Sequence, residues 1–126
     1  MAILIIKVDY MLKTIPELIS EVRRSIQTTT AKDAYLLPQK SSLFIDVREP
    51  QEVTDSPVLN SINVPRGILE MSITNHTTDE NQHIYLHCAT GGRASLAAEQ
   101  LRRLGYKNVW AIICPHNDVC TAQKKS

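Results

Sequence analysis

The sequence predicts one α/β domain in which helices flank a central, mostly parallel sheet of four to five strands. Short apolar runs bounded by turn residues are typical of buried strands, and residues 42–47 and 84–87 form two such runs. Helical patterns alternate with these runs, and this alternation favours parallel strands that are covered on both faces. A chain of 126 residues suits one compact domain of this kind.

Weaker signals place the remaining strands. Residues 61–64 and 108–113 are predicted strands, and Pro65 closes the first of them. Residues 25–29 are ambiguous and form the candidate fifth strand. The polar stretch at 72–82 is predicted to be a surface loop.

Capping residues and periodic apolar positions predict three longer helices. Thr14 is the N-cap candidate of the first helix, and Thr30 is that of a second helix over 31–37. The clearest helix runs over 93–104, where apolar residues share one face, and Gly105 follows as its terminator. Because ligands bind beyond the carboxyl ends of parallel strands, residues at those ends are the candidate site residues.

The composition argues against several classes of function. Apolar residues make up 43% of the chain and charged residues 21%, which is ordinary for a globular protein. A formal net charge of +1 gives no general attraction to nucleic acid or to a membrane surface, so neither is a predicted partner. Three cysteines are too few, and odd in number, for a disulfide framework, and the predicted location is the reducing cytoplasm.

The stretch HCATGGRA at residues 87–94 joins a predicted strand to a predicted helix and holds the candidate nucleophile. Free N–H groups at a helix start, together with the helix dipole, favour a thiolate at Cys88 over a thiol. Gly91 and Gly92 allow backbone angles at which successive N–H groups converge on an anion. Arg93 adds a fixed positive charge and a planar donor fork for an oxyanion. The alternative is a buried structural cysteine whose glycines serve only tight packing.

Three blocks of the sequence resemble single-domain rhodaneses, a family of sulfurtransferases. HCATGGRA and the following SLAAEQLRRLGYKNVWAI are similar to the family's active-site loop, helix and next strand. FIDVRE at 44–49 resembles its Asp-x-Arg signature strand, and INVPRGILE at 62–70 resembles its Ile-Asn-x-Pro segment. The resemblance implies a rhodanese-like, three-layer domain over residues 25–113, between an N-terminal extension with a helix at 1–24 and a short C-terminal tail at 114–126.

The resemblance also implies roles for the site residues. Cys88 is similar to the cysteine that accepts a sulfane sulfur and becomes a persulfide. Asp46 and Arg48 match the signature pair that helps to shape and charge the site. The other matching positions, whose backbone surrounds the sulfur, are Ala89, Thr90, Gly91, Gly92 and Arg93.

The activity that the resemblance implies is a double displacement of sulfur. A small anionic donor, such as thiosulfate or a low-molecular-weight persulfide, loads Cys88. A thiolate, which a protein acceptor could also supply, or cyanide then removes the outer sulfur. The resemblance implies no metal and no organic cofactor.

Two other functions compete with this hypothesis. Phosphatases of related fold place five residues between cysteine and arginine, whereas four residues separate Cys88 from Arg93. The shorter loop suits one sulfur atom better than a phosphoryl group, and neither Asp46 nor Asp118 stands out as the general acid that a phosphatase needs. The third alternative is a rhodanese-like binding module without catalysis, against which the presence of Cys88 argues.

The tail that contains Cys114, His116 and Cys120 departs from the family pattern. These residues could contribute to a zinc site, but the sequence shows no fourth ligand and no known spacing. A relay thiol for the Cys88 persulfide is a second interpretation. Two unreactive cysteines that pack a short C-terminal turn are the third.

Three polar residues near the predicted strand ends have both functional and structural interpretations. His87 precedes the nucleophile, and a packed strand end is favoured over a catalytic base, because neighbours on a strand point to opposite faces. Arg48 either steers anionic donors or pairs with a nearby carboxylate. Arg66 either faces the site or lies solvated on the surface.

Overall fold

A computed structural model describes residues 12–36 and 41–125 of the chain. In chain order, its helices and strands are α1 (Ile15–Arg23), β1 (Gln27–Thr29), α2 (Ala31–Ala34), β2 (Ser42–Asp46), α3 (Pro50–Asp55), β3 (Ile62–Asn63), α4 (Leu69–Ser72), β4 (His83–His87), α5 (Gly92–Leu104), β5 (Asn108–Ile112) and α6 (His116–Lys125). The second helix is shorter than the predicted 31–37, because it ends at Ala34 with Tyr35 as its C-cap; residue 37 itself lies outside the described residues. None of the helices in the described part has the length and apolar character needed to cross a membrane.

The five strands form one parallel sheet in the order β1-β5-β4-β2-β3. The α/β prediction is therefore confirmed at the upper end of its strand number, and the ambiguous stretch at 25–29 contains an edge strand. In the register between β2 and β4, Asp46 stands directly beside His87. The loops that leave these two strands therefore begin at the same edge of the sheet.

Each face of the sheet packs its own core. On one face, Ile45, Ile84 and Leu86 contact the small and apolar side of α5, including Leu101. Cys88 belongs to this core, because its side chain continues the inward-pointing pattern of β4. On the other face, an aromatic row crosses the sheet, with ring centroids 4.4 to 6.5 Å apart between neighbours. Its members are Tyr35, Phe44, Tyr85 and Trp110.

The predicted helix ends are confirmed by their hydrogen bonds and backbone angles. Thr14 Oγ1 accepts the N–H of Glu17 at 3.2 Å, and Thr30 Oγ1 accepts that of Asp33 at 3.1 Å. Gly105 takes a left-handed φ of 113° and ends α5. The local chemistry of capping is therefore sufficient to place these ends.

Two segments differ from their sequence interpretation. The stretch 72–82 is not wholly a surface loop, because Ile73 is fully buried and begins a 3₁₀ turn over Ile73–Asn75. One apolar residue gives no periodicity, so its burial left no pattern to detect. The C-terminal tail contains the ten-residue helix α6, which packs against α2 and buries Val119.

Candidate active site

Cys88 lies just beyond β4, at the edge of the sheet where parallel strands bind ligands. Its side chain is almost fully buried, with 1% of its surface exposed. The backbone N–H groups of Gly91 and Ala94 both donate to Cys88 Sγ, at 3.1 and 3.3 Å. The sulfur thus takes the place of a helix cap at the start of α5, where backbone dipoles stabilise negative charge.

Position 91 requires a glycine for two reasons, which are its backbone angle and its close surroundings. Its φ of 95° is in the left-handed region. A Cβ added there would lie 2.8 Å from the Cα of Ile113 and 3.1 Å from Arg23 Nη2. Its carbonyl accepts both the N–H and the hydroxyl of Ser95, at 3.0 and 2.7 Å. The turn at Gly91 is what brings its N–H back onto the sulfur, as the glycine pattern predicts.

Arg93 is paired within the protein. Its two terminal nitrogens donate to the two carboxylate oxygens of Glu52 in α3, at 2.6 and 2.9 Å. This bidentate contact lowers the pKa of Glu52 to about 2 and raises the pKa of Arg93. Both side chains keep about a third of their surface exposed, 35% and 38%. The donor fork expected to hold an oxyanion therefore fastens α3 to the Cys88 loop.

Glu52 is a functional-site residue that sequence reasoning missed. Its Oε1 accepts the N–H of Glu49 at 2.9 Å, which forms a capping box at the start of α3. The pattern of Pro50 at the first helical position and an acidic residue two places later is a recognisable helix start. That signal predicts a helical turn over 49–55, which the structure confirms, but it does not predict the partner of Glu52 across the site.

Asp46 and Arg48 form a buried ion pair behind the loop. Asp46 is 1% exposed and Arg48 is 3% exposed, and Nη2 of the arginine lies 2.7 Å from Oδ2 of the aspartate. Arg48 also donates to the backbone carbonyls of Glu52 and Ser56, at 3.2 and 2.8 Å. Of the two interpretations of Arg48, the structure shows pairing with a carboxylate, because a buried and fully engaged guanidinium cannot steer a donor in solvent.

His87 is a packed strand end. Its side chain is fully buried, and its Nε2 lies 2.6 Å from the hydroxyl of Ser61. Burial lowers the pKa of His87 to about 4, although Asp46 opposes this shift. The imidazole is therefore neutral at pH 7. It points away from the side chain of Cys88, because successive residues of a strand point to opposite faces of the sheet.

Arg66 makes a short-range ion pair at the surface. Its Nη1 lies 2.8 Å from Glu70 Oε1, one helical turn away, and about a quarter of the arginine side chain is exposed. The backbone N–H of Arg66 donates to the carbonyl of Val47. This arrangement matches the surface interpretation of Arg66.

The C-terminal tail contacts the loop through its backbone. The N–H of His116 donates to the carbonyl of Ala89 at 2.9 Å, and its Nε2 lies 3.3 Å from Cys120 Sγ and 2.9 Å from Ser56 Oγ. Cys114 Sγ instead accepts the first N–H of α2 at 3.3 Å. Within residues 12–36 and 41–125, no three histidine, cysteine or acidic side chains gather as a metal site would require.

Together these features define a class of protein. A parallel sheet presents a buried cysteine at a strand end, a glycine turn brings two N–H groups onto its sulfur, and a buried Asp–Arg pair lies at the end of the neighbouring strand. This is the arrangement of a rhodanese-type domain. Residues 30–113 match the family model described as the rhodanese-like domain, and the chain belongs to this family.

Named relatives include sulfurtransferases. The chain is 30% identical over 105 residues to thiosulfate sulfurtransferase 16 of Arabidopsis thaliana, covering 75% of this chain and 84% of that protein. It is 30% identical over 66 residues to the thiosulfate sulfurtransferase PspE of Escherichia coli, covering 52% and 64%. The chain spans 57% of the length of another relative, from Schizosaccharomyces pombe.

A solved structure of similar extent carries a different description. It belongs to a protein of unknown function from Rhodopseudomonas palustris, described as a possible tyrosine phosphatase. The two chains are 25% identical and superpose with a TM-score of 0.75, covering 89% of this chain and 92% of the other. This similarity agrees with the fold. The description of the similar protein makes phosphatase activity the alternative to sulfur transfer.

Proposed function

We propose that this protein is a sulfurtransferase that carries a sulfane sulfur on Cys88 as a persulfide. The observation that carries the proposal is the pair of N–H groups, from Gly91 and Ala94, that converge on the buried sulfur. Hydrogen bonds from fixed backbone donors stabilise a thiolate before the reaction, and the same loop stabilises a terminal persulfide anion after it.

The proposed reaction has two displacements at sulfur. The Cys88 thiolate attacks the outer sulfur of thiosulfate, the S–S bond of the donor breaks, and sulfite leaves with the electron pair. The resulting Cys88 persulfide is then attacked at its outer sulfur by a thiolate or by cyanide. The new persulfide or thiocyanate leaves, and the Cys88 thiolate is restored. A low-molecular-weight persulfide can replace thiosulfate in the first step, and a protein thiol can be the acceptor in the second.

The neighbours of Cys88 have distinct roles in this proposal. Asp46 and Arg48 act as a buried brace, because their ion pair and carbonyl contacts fix the chain beside the loop. Arg93 holds α3 against the loop through Glu52. The backbone that surrounds the transferred sulfur belongs to Ala89, Thr90, Gly91, Gly92 and Arg93. No step requires a metal or an organic cofactor.

A cysteine-dependent phosphatase is the second candidate, because one similar structure carries that description. Two features of this chain argue against it. The loop has four residues between Cys88 and Arg93, and the arginine is already engaged by Glu52. Asp46, a candidate general acid, is buried in its pair with Arg48, and Asp118 lies on the exposed part of α6.

Mass spectrometry of the intact protein and of its peptides tests the proposal. After treatment with thiosulfate, we expect one added sulfur atom on the peptide that contains Cys88, and none there in Cys88→Ser. Addition of cyanide should remove that sulfur and release thiocyanate. Hydrolysis of an aryl phosphate without sulfur loading would support the phosphatase, and neither reaction would support a binding module.

A further inference from the structure

A cavity of about 330 Å³ lies between α1 and the Cys88 loop. Its lining comes from both elements and consists of Pro16, Ile19, Ser20, Arg23, Thr90 and Gly92. The contact between the elements is close, since a Cβ added to Gly92 would lie 2.9 Å from Ile19 Cδ1. Because α1 precedes residues 30–113, this wall of the cavity lies outside the part of the chain that matches the family model.

Arg23 places a positive charge in the cavity without a carboxylate beside it. Its Nε donates to Ser95 Oγ at 3.0 Å, and its Nη2 reaches the backbone at Gly91. Among the ion pairs of residues 12–36 and 41–125, none includes Arg23. The side chain is half-buried, so its position is held while its terminal nitrogens remain free for an anion.

Arg93, the arginine of the Cys88 loop itself, cannot supply this charge. Both terminal nitrogens of Arg93 are engaged by Glu52. A guanidinium and a carboxylate in bidentate contact neutralise each other, whereas Arg23 meets only a serine hydroxyl. An anionic group that occupies the cavity between α1 and the loop therefore meets the guanidinium of Arg23.

We propose that this cavity binds the organic part of a persulfide donor that carries a carboxylate, with the carboxylate held by Arg23. This inference rests on the proposed sulfurtransferase function and names its donor class. Pro16 and Ile19 supply an apolar surface for a carbon chain, from which a hydrated oxyanion would gain nothing.

The transfer balances without a further reagent. The Cys88 thiolate attacks the outer sulfur of the donor R–S–SH, and the S–S bond of the donor breaks. R–S⁻ leaves with the electron pair, and the terminal sulfur with its proton becomes part of Cys88–S–SH. Arg23 takes no part in bond making and acts only on the binding of the donor.

A comparison of three donors separates the effect of the donor's carboxylate on KM from the effects of its other features. We compare the persulfide of mercaptopropionic acid with that of mercaptopropanol, which has a neutral hydroxyl in place of the carboxylate, and with thiosulfate. Cyanide is the acceptor throughout. In Arg23→Gln, we expect KM for the carboxylate donor to rise by about tenfold or more, the scale of a lost charge-assisted contact. We expect kcat, and KM for the other two donors, to stay within about twofold, because catalysis itself does not use Arg23.

Arg24→Gln is the matched control. It removes the same charge one residue further along, at an exposed position that does not line the cavity, and it should leave all three KM values unchanged. Arg23→Lys keeps the charge without the planar fork and should give an intermediate KM for the carboxylate donor.

The remaining outcomes overturn the inference. A fall in kcat with all three donors would assign Arg23 a structural role through Ser95 and Gly91. An equal rise in KM for thiosulfate would assign the site to inorganic oxyanions. An unchanged KM for the carboxylate donor would also overturn it, while sulfur loading on Cys88 in the wild type would leave the proposed function intact.

Discussion

Two loops leave the same edge of the sheet, and each has a cysteine close behind its strand. After β4, Cys88 Sγ accepts N–H groups from Gly91 and Ala94, which belong to its own loop and helix. After β5, Cys114 Sγ accepts one N–H, from Ala31 of a different and shorter helix. A cysteine near the end of a parallel strand is therefore not enough to bring N–H groups of its own loop onto the sulfur.

The difference comes from the residues that follow each cysteine. Gly91 adopts a φ of 95°, which turns its N–H back toward the sulfur. Asn117 is the residue three places after Cys114, and it does not adopt a left-handed φ. The second loop therefore lacks the turn that closes the first, and Cys114 packs against the neighbouring helix instead. Convergence of donors, rather than the cysteine, distinguishes the two loops.

The largest effect is expected when Cys88 is replaced by serine, and the same replacement of Cys114 is the comparison. Cys88→Ser should lower kcat for thiosulfate:cyanide transfer by roughly three or more orders of magnitude, because a serine hydroxyl cannot carry the sulfane sulfur. Cys114→Ser should retain activity within about twofold, since one packing thiol is replaced by a hydroxyl of similar size. Steady-state kinetics checks both variants, and comparable losses would show that the two loops share the chemistry.

Gly91→Ala tests the turn that closes the first loop. Left-handed backbone costs a residue with a Cβ about 1–2 kcal/mol, and here the Cβ would also lie 2.8 Å from the Cα of Ile113. We expect a loss in the free energy of unfolding above about 2 kcal/mol, together with a fall in the rate of sulfur loading. Urea denaturation and loading kinetics are the measurements.

Gly105→Ala is the control for this substitution. Gly105 has a φ of 113°, but an added Cβ there meets nothing within 4 Å. The variant should lose only about 1–2 kcal/mol, the cost of the backbone angle, and should load sulfur at the wild-type rate. If both variants behave alike, crowding at Gly91 contributes nothing to the loop.

His87→Gln tests the buried imidazole at the end of β4 through the pH dependence of stability. The pKa of His87 is about 4 in the folded protein against an ordinary 6.5. Between these values the unfolded chain binds more protons, so this residue makes stability fall as pH decreases from about 6.5 to 4. The contribution reaches about 3 kcal/mol at most, and His87→Gln should remove it from urea denaturation measured across that window.

His83→Gln is the matched control on the same strand, where the side chain is exposed. This variant keeps the buried His87, so the fall in stability between pH 6.5 and 4 should persist in it. His116, whose pKa is also lowered by burial, contributes a slope of the same sign in every variant. A slope that is unchanged in His87→Gln would mean that His87 does not enter the folded state as the neutral imidazole.

The smallest effect is expected from Glu52→Gln, which removes the carboxylate partner of Arg93. This variant distinguishes the contribution of the arginine to the loop from that of the loop's backbone. The Glu52–Arg93 pair is about one-third exposed, so its loss should cost less than about 1 kcal/mol at pH 7. The pKa of Glu52 is about 2 rather than 4.5, so this contribution is present above pH 4.5 and lost as pH falls toward 2. Urea denaturation at pH 7 and pH 3 checks the sign.

Glu70→Gln is the control for Glu52→Gln. It breaks a pair of similar exposure with Arg66, outside the Cys88 loop. The two variants should lose similar stability, and only Glu52→Gln should change sulfur loading. A loss of several kcal/mol in Glu52→Gln would show that the shape of the loop depends on Arg93 rather than on Gly91.

The fold and the centre of the site could be predicted because their signals are local. A helix pattern directly after a short apolar strand places Cys88 at a junction, and the two glycines mark the turn. Thr14, Thr30 and Gly105 mark helix ends through hydrogen bonds or angles within a few residues. The edge strand at 27–29 remained ambiguous, because three residues are too few to show a period.

The surroundings of the site could not be predicted, because they join distant parts of the chain. Glu52 and Arg93 are 41 residues apart, and Arg23 and Ser95 are 72 apart. Local sequence patterns indicate which residues are buried. They do not indicate which loop contacts which helix, because those contacts depend on the order of strands β1 to β5 in the sheet. The sequence alone placed Cys88 in a glycine turn between a strand and a helix. Only the tertiary structure decided that Arg93 is neutralised by Glu52 and that the unpaired guanidinium beside the loop is Arg23, since long-range packing sets the partner of each charge.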